Sequence, residues 1–418
     1  MSRCLGKLCG GNMSRVSHRV ALSLVSESSQ RSNTADDSCV PHKSKVQSMK
    51  TKHFVICFLL SLGVAMALGQ AAQQQRTSGR RIDQGAPREP RIDPGWDSGR
   101  FPDQAVCYKS PTEIEDIYAK LGGKQDQAVT SYEKPTDGSL RIVGTGHSFM
   151  VPGFRSFPAV VRAAGYKQPP LLTHTGGGIT GSARYKWEQE NGIFQFDGQP
   201  KPKLLASISA AEWDVMVWGP FYHDRPVYYS CWIDFCLKYN PGMKFYLMNA
   251  WPQLGQLHPR PQSEDELTAE TIAEMGRLKQ TANAELIQTL NKKYPNKVFV
   301  LPTCEAMVLA AAHYHRGELP GVEGIHRLLG KKERSLWRDM IGHLGPGFGN
   351  LEGYVFYATL YGKSPELIQD QVRFPGSGDF PSPELDRVFR KIAWQAVVNC
   401  PLSGVTDKNH DGIGDGRP

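Results

Sequence analysis

The chain has 418 residues, 40% of them hydrophobic, so it is long enough to bury one large core or two smaller ones. Its formal net charge is +8, but residues 1–69 hold nine Lys or Arg against three Asp or Glu, a net charge of +6. The remainder therefore carries only +2, which excludes the strongly basic surface that nucleic-acid-binding proteins need.

An apolar stretch near the start has the layout of a secretory signal peptide. It begins at Met49, continues through an apolar run over residues 54–68 with lysines just before it, and ends in small residues. We expect residues 49–69 to be cleaved and the mature protein to be secreted or periplasmic, with no stable membrane span. Residues 1–48 are then an upstream segment, either untranslated or disordered. An uncleaved anchor is the alternative, although the apolar run is short for a membrane span.

The next segment, residues 70–102, is rich in Arg, Gln, Gly, Pro and Asp and has almost no apolar periodicity. Such a composition buries too little surface to offset its ordering entropy, so we expect a disordered linker. The predicted domain covers residues 103–400. Five of the nine cysteines lie beyond the signal peptide, and an odd number leaves at least one thiol unpaired. These five are Cys107, Cys231, Cys236, Cys304 and Cys400.

From about Leu140 the chain alternates short apolar runs with helical stretches. The predicted strands are "RIVGTG", "PLLTHTG", "DVMVWGP", "KFYLMNAW" and "KVFVLPT", and the predicted helices lie near 152–165, 203–211, 226–239 and 265–293. Strands that alternate with helices form a parallel sheet covered on both faces. We therefore predict an α/β fold, a three-layer α/β/α sandwich with a five-stranded parallel sheet. Beyond Pro302 we predict helices only, with "LEGYVFYATLYG" and "ELDRVFRKIAWQAVV" amphipathic.

Three strand ends carry small or polar residues, as active-site edges do, since open α/β folds bind ligands at the carboxyl edge of the sheet; the third in chain order is "WDVMVWGPFYHD", which ends at Gly219. The first strand ends in "GTGHSF", where Ser148 is either a nucleophile or an ordinary helix cap. The second leads into "HTGGGITGSA", whose backbone N–H groups could face an oxyanion, unless it is only a flexible turn. No lysine follows these glycines, so a phosphate-binding loop is excluded.

Asp339 and His343 lie in a loop just before a predicted helix. A histidine base oriented by a carboxylate needs this pairing, although a structural His–Asp pair has the same appearance in sequence.

Together these stretches resemble the SGNH (GDSL-type) hydrolase superfamily, in the order in which its motifs occur. "GTGHSF" resembles the nucleophile block, with His147 where the more familiar motif has Asp, and "GGGITGSA" looks like the glycine block. The block that ends in His343 is similar to the terminal Asp-x-x-His block. The resemblance implies a flavodoxin-like SGNH fold, Ser148 as nucleophile, His343 as base and Asp339 as its partner. It also implies an oxyanion N–H from Gly181, with Gly178 as the alternative.

The chain departs from the family pattern in two places. The third block normally ends Gly-x-Asn-Asp and supplies an oxyanion Asn, but here Gly219 is followed by Pro-Phe-Tyr. In the last block three residues separate Asp339 from His343 rather than two, and Gly342 is the residue that could absorb the insertion. The resemblance implies a serine esterase that deacylates a carbohydrate or other small ester and needs no cofactor. A non-catalytic glycan-binding protein on the same fold is the alternative.

The last predicted segment, residues 401–418, contains "DKNHDGIGDG". Its pattern matches the start of a calcium loop of the EF-hand or thrombospondin type 3 kind, with Gly412 at the sharp turn and no Glu at the twelfth position. A disordered acidic tail is the alternative. The predicted calcium ligands are Asp407, Asn409, Asp411, Ile413 and Asp415.

Overall fold

The structure is a computed structural model that describes residues 81–82, 130–175, 195–196, 199–200, 204–219, 226–376 and 378–416. The strands are β1 (Arg81–Ile82), β2 (Ile142–Gly146), β3 (Leu172–Thr175), β4 (Gln195–Phe196), β5 (Gln199–Pro200), β6 (Val215–Trp218), β7 (Lys244–Met248), β8 (Leu257–His258), β9 (Val298–Leu301), β10 (Gly324–His326) and β11 (Ser335–Trp337). The helices are α1 (Met150–Ala163), α2 (Leu204–Ala210), α3 (Pro226–Tyr239), α4 (Ala269–Lys293), α5 (Thr303–His315), α6 (Arg327–Gly330), α7 (Phe348–Tyr361) and α8 (Pro383–Val398). Single 3-10 turns occupy Leu254–Gln256, Glu264–Glu266, Pro365–Leu367 and Pro401–Ser403.

The central sheet has five parallel strands in the order β3-β2-β6-β7-β9, which confirms the predicted parallel sheet. Strand β2, the first strand of this sheet along the chain, thus lies between β3 and β6. The strand order therefore reverses between β2 and β6, and doubly wound folds bind ligands at the carboxyl ends of the strands at such a point.

Alternate residues of the strands face two separate cores, because successive side chains of a strand point to opposite faces. In β6, Val215 and Val217 belong to one core, and Met216 and Trp218 belong to the other. The first core is shared with α1, α5, α7 and α8, and the second with α2, α3 and the C-terminal part of α4. Helices therefore cover both faces of the sheet, and the predicted three-layer architecture is confirmed.

Two predictions for the region after Pro302 are wrong. β10 and β11 form a parallel pair in a stretch that we expected to be wholly helical. Helix α7 is buried nearly all round rather than amphipathic, since every residue from Asn350 to Tyr361 is buried. It packs against both α1 and α8, so no face remains for solvent. Helix α8 has one buried face, as its sequence pattern predicts.

Helix α8 also begins in the ordinary way for a serine cap. The Ser382 hydroxyl accepts a hydrogen bond from the Leu385 N–H at 3.3 Å, and Pro383 occupies the first helical position. Ser382 is therefore a reference for what a capping serine does in this protein.

None of the described helices is both long and apolar enough to cross a membrane. Within the described part of the chain, Cys236, Cys304 and Cys400 are buried free thiols, and burial raises the pKa of each of them. Cys107, the predicted signal peptide and nearly all of the predicted linker lie outside the described residues.

Candidate active site

Ser148 lies at the carboxyl end of β2, in the turn that connects this strand to α1. The turn is closed by hydrogen bonds from the Met150 N–H to the His147 carbonyl at 3.1 Å and from the Val151 N–H to the Ser148 carbonyl at 3.2 Å. The residue at the N-cap of α1 is Phe149, and no side chain caps the helix. Ser148 therefore does not act as an N-cap of the Ser382 kind, and its hydroxyl is available for another partner.

That partner is His343, whose Nε2 atom lies 2.7 Å from Ser148 Oγ. The other ring nitrogen, Nδ1, lies 2.8 Å from Asp339 Oδ2. The structure thus brings together Ser148, His343 and Asp339, which the sequence spreads over nearly two hundred residues; we call them the Ser-His-Asp corner. Because a carboxylate can only accept, Nδ1 carries the proton and Nε2 is left to accept the Ser148 hydroxyl. This is the tautomer that a general base requires.

A tight turn holds Asp339 and His343 in this arrangement. The Gly342 N–H donates to the Asp339 carbonyl at 3.0 Å, and Asp339 Oδ1 accepts the N–H groups of Gly342 and His343, both at 3.1 Å. Gly342 has φ +90°, a conformation that favours glycine. The extra residue between Asp339 and His343 is accommodated by this turn, with Met340 and Ile341 exposed at its tip.

The charge on Asp339 is stabilised by its neighbours. Partial burial raises the pKa of the carboxyl, but the hydrogen bonds from the His343 backbone and side chain, with the positive charge of Arg338, lower it further than burial raises it. Arg338 Nε lies 3.6 Å from Asp339 Oδ2. The pKa of Asp339 is therefore below its ordinary value, so the group is ionised at neutral pH and keeps the proton of His343 on Nδ1.

Two glycines allow the strand ends to approach each other beside Ser148. A Cβ atom on Gly146 would lie 2.8 Å from the backbone nitrogen of Gly219, at the end of the neighbouring strand β6. The Gly219 N–H donates to the Thr145 carbonyl at 3.1 Å, and the Met150 side chain packs against both glycines. Larger residues here would push apart β2 and β6 and displace the turn that carries Ser148.

Aromatic packing that the sequence did not indicate supports the corner. Phe149 stacks on Trp251 with ring centroids 4.7 Å apart and meets the His343 ring edge-on at 5.2 Å. The Trp251 indole N–H donates to the Gly342 carbonyl. Trp251 and Trp218 are both buried at 1% exposure or less, so neither ring is available to stack on a sugar.

The other predicted oxyanion groups, Gly178 and Gly181, lie outside the described residues, as do the residues that follow Gly219 in the altered third block, Pro220, Phe221 and Tyr222. None of the described residues accepts a hydrogen bond from the Ser148 N–H. This N–H is therefore available as one oxyanion donor within the part of the chain that the structure describes.

The segment from Asp407 to Asp415, here called the acidic loop, is docked on the domain. The Ser364 N–H donates to the Gly412 carbonyl at 2.7 Å, and the Gly414 N–H donates to the Gly362 carbonyl at 2.8 Å. Across the described residues, no group of three or more His, Cys, Asp or Glu side chains is arranged to hold a metal ion. Calcium binding by the acidic loop stays a prediction.

No protein family model matches the chain, and a comparison with curated proteins finds no match either. Solved structures with a similar backbone fold include a DUF4886 family protein from Bacteroides uniformis. The two sequences are 11% identical, the TM-score is 0.40, and the match covers 62% of this chain and 95% of that one. The similar structures also include the periplasmic domain of a lipopolysaccharide acetyltransferase from Salmonella ser. Paratyphi A, at 12% identity and a TM-score of 0.30, over 59% of this chain and 94% of that one.

Proposed function

We propose that this protein is an exported serine esterase of the SGNH type, which deacylates a carbohydrate or another small ester. The observation that carries the proposal is the alignment of Ser148, His343 and Asp339, with hydrogen-bond distances of 2.7 Å and 2.8 Å along the series. A structural His–Asp pair would explain the contact of His343 with Asp339, but it does not explain why Ser148 meets the other nitrogen of the same imidazole.

In the proposed reaction His343 Nε2 removes the hydroxyl proton of Ser148 while Oγ attacks the ester carbonyl carbon. The Ser148 N–H and the predicted Gly181 N–H hold the oxyanion of the tetrahedral intermediate. His343 then gives its proton to the leaving alcohol, and an acyl-serine remains. Water attacks the acyl-serine with His343 again as base, which releases the acid and restores Ser148.

Labelling by a fluorophosphonate probe tests whether Ser148 is an activated nucleophile. We expect covalent modification of the peptide that contains Ser148, read by mass spectrometry, and its loss in Ser148→Ala. The matched control is Ser382→Ala, which removes a serine that caps a helix and should leave labelling intact. A wild-type protein that the probe does not modify would contradict the proposal and favour a binding protein on the same fold.

Export is a separate part of the proposal and is supported by the sequence from Met49 onward. Intact mass of the protein recovered from an exporting host tests it. We expect a mature N-terminus between Gly69 and Gln73, because signal peptidases cleave after small residues. Recovery of a chain that retains residues 1–48 would contradict it.

A further inference from the structure

The turn that carries Asp339 and His343 is held from outside at two backbone carbonyls. Trp251 donates its indole N–H to the carbonyl of Gly342. His326 places its Nε2 atom 3.1 Å from the carbonyl oxygen of Asp339. Since a carbonyl can only accept, Nε2 of His326 must carry the ring hydrogen. The residue that supplies the carboxylate is therefore fixed through its own peptide group as well as through its side chain.

His326 is itself held rigidly. It is the last residue of β10 and is only 1% exposed. Glu264 Oε1 accepts the N–H groups of Ile325 and His326, the latter at 2.7 Å, and Lys332 Nζ lies 3.2 Å from Glu264 Oε2. The end of the strand is thus held by a partly buried carboxylate, next to the imidazole that meets Asp339. A flexible side chain in this place would not define the position of the turn.

The charge state of His326 suits a donor at Nε2. Its Nδ1 atom is buried and meets no hydrogen-bond partner within the described residues. Burial lowers the pKa of the imidazole, and this outweighs the opposite influence of Asp339 and Glu264. The ring is therefore neutral at neutral pH, with its single hydrogen on the atom that faces Asp339.

We propose that His326 is a positioning residue, which holds the Asp339 turn so that the carboxylate meets His343. The inference rests on the proposed esterase function. Asp339 is about one-third exposed, so its side chain could turn toward solvent once the turn is released. Loss of the carboxylate from His343 Nδ1 would leave the base without a fixed tautomer, while the rest of the substrate-binding surface stays in place. The expected consequence is a lower kcat with little change in KM.

Three variants and a matched control test this role. His326→Leu removes the donor and should lower kcat for an aryl acetate by about tenfold or more, since small misplacements of reacting groups are costly. His326→Gln keeps an N–H donor at the distance of Nε2 and should retain kcat within about threefold. His326→Asn is shorter and should behave like His326→Leu, which preserves the test where the leucine variant does not fold. In all three KM should stay within about twofold.

The control is His315→Leu. His315 Nε2 lies 2.9 Å from the Leu267 carbonyl, so it makes the same kind of hydrogen bond from helix α5 without touching the catalytic turn. Its loss should lower the melting temperature but leave kcat near the wild-type value.

The outcomes separate the two levels of the proposal. Wild-type kcat in His326→Leu, or an equal loss of kcat in His326→Gln and His326→Leu, would overturn the positioning role while the esterase stands. A similar loss of kcat in His315→Leu would also overturn the positioning role, because the loss in both variants would then follow from reduced stability. If wild-type protein shows no hydrolysis that depends on Ser148, the proposed function fails and the role of His326 fails with it.

Discussion

Asp339 in the Ser-His-Asp corner and Asp407 in the acidic loop make similar local bonds. Oδ1 of Asp339 accepts the N–H groups three and four residues ahead. The two oxygens of Asp407 accept those four and five residues ahead, both at 3.1 Å. Each carboxylate therefore shapes its own turn, and short-range sequence patterns do not separate the two cases.

The difference lies in what meets the second oxygen. Oδ2 of Asp339 is left for the imidazole of His343, whose far nitrogen faces Ser148. Oδ2 of Asp407 instead accepts the N–H of Gly412 and the indole N–H of Trp394, so both oxygens serve the fold. An aspartate becomes part of the candidate site when its remaining oxygen meets an imidazole whose far nitrogen faces a serine from a distant segment. The predictions below test that distinction.

Removal of Ser148 or His343 should have the largest effect. We expect Ser148→Ala and His343→Ala each to lower kcat for aryl-acetate hydrolysis by several orders of magnitude, and the double variant scarcely more. The effects of residues that act as a unit are strongly non-additive, with losses of about 10⁶-fold in a known serine hydrolase. Steady-state kinetics on the three variants measures this. Additive losses would show that the two side chains do not act together.

Asp339→Asn should have the next largest effect. The amide keeps an acceptor for the backbone N–H groups of the turn but no longer carries the charge that orients His343. We expect kcat to fall by about 10²–10⁴-fold, less than for Ser148→Ala. Asp386→Asn is the matched control, because Asp386 accepts the Tyr354 hydroxyl at 2.7 Å in a purely structural place and should retain kcat. A wild-type rate in Asp339→Asn would make its contact with His343 structural.

The acidic loop would be a binding site if it binds calcium. Each carboxylate oxygen has more than one lone pair, so Asp407 and Asp411 could bind a cation while they cap the loop. We expect weak binding in calorimetry, with Kd in the range of about 10⁻⁴–10⁻³ M of extracellular modules, lost in the Asp407→Ala, Asp411→Ala double variant. The double replacement of exposed Asp265 and Asp370 by Ala removes the same charge and should keep the heat. Equal heats of calcium binding from the two double variants would show that the acidic loop has no specific calcium site.

The sheet could be predicted from the sequence because its strands are short apolar runs that lie between helical stretches. Helix α3 begins and ends at Pro226 and Tyr239, where the pattern placed it. Strands β10 and β11 could not be predicted, since each has three residues, too few for an alternating pattern to stand out. Helix α7 could not be assigned a buried position from its own residues, because that depends on its neighbours α1 and α8.

For the candidate site, the residue types at the strand end and before α7 suggested Ser148 and His343, and Asp339 followed from its distance to the histidine. The supports were not indicated. Trp251 meets Gly342 across 91 residues and His326 meets Asp339 across 13, and no local pattern encodes either contact. Side chains that donate to backbone carbonyls leave no motif, because any residue can supply the carbonyl.

Replacement of Glu352 on helix α7 should have the smallest effect. It separates the influence of burial on a carboxyl group from the influence of hydrogen bonds. Glu352 is 3% exposed, and neither oxygen has a hydrogen-bond partner among the described residues, in contrast to Asp339 and Asp407. Burial raises its pKa well above the ordinary value, and this outweighs the opposite influence of the nearby Gly153 N–H. Below the ordinary glutamate pKa both folded and unfolded chains bind the proton. Above it only the folded chain does, so the free energy of unfolding falls as pH rises through that range.

Glu352→Gln lacks this titration and should therefore gain stability over the wild type as the pH increases from 5 to 8. We expect the difference in melting temperature between the two proteins to widen by a few degrees, at about 2–4 °C for each kcal/mol, as followed by circular dichroism. Glu366→Gln changes the same formal charge at an exposed position and should show a constant difference. A constant difference for Glu352→Gln as well would mean that its carboxylate ionises in the folded protein. Burial without hydrogen-bond donors would then be insufficient to keep a carboxyl group neutral in this protein. The ionised state of Asp339 would also depend less on its hydrogen bonds with His343 than these contacts indicate.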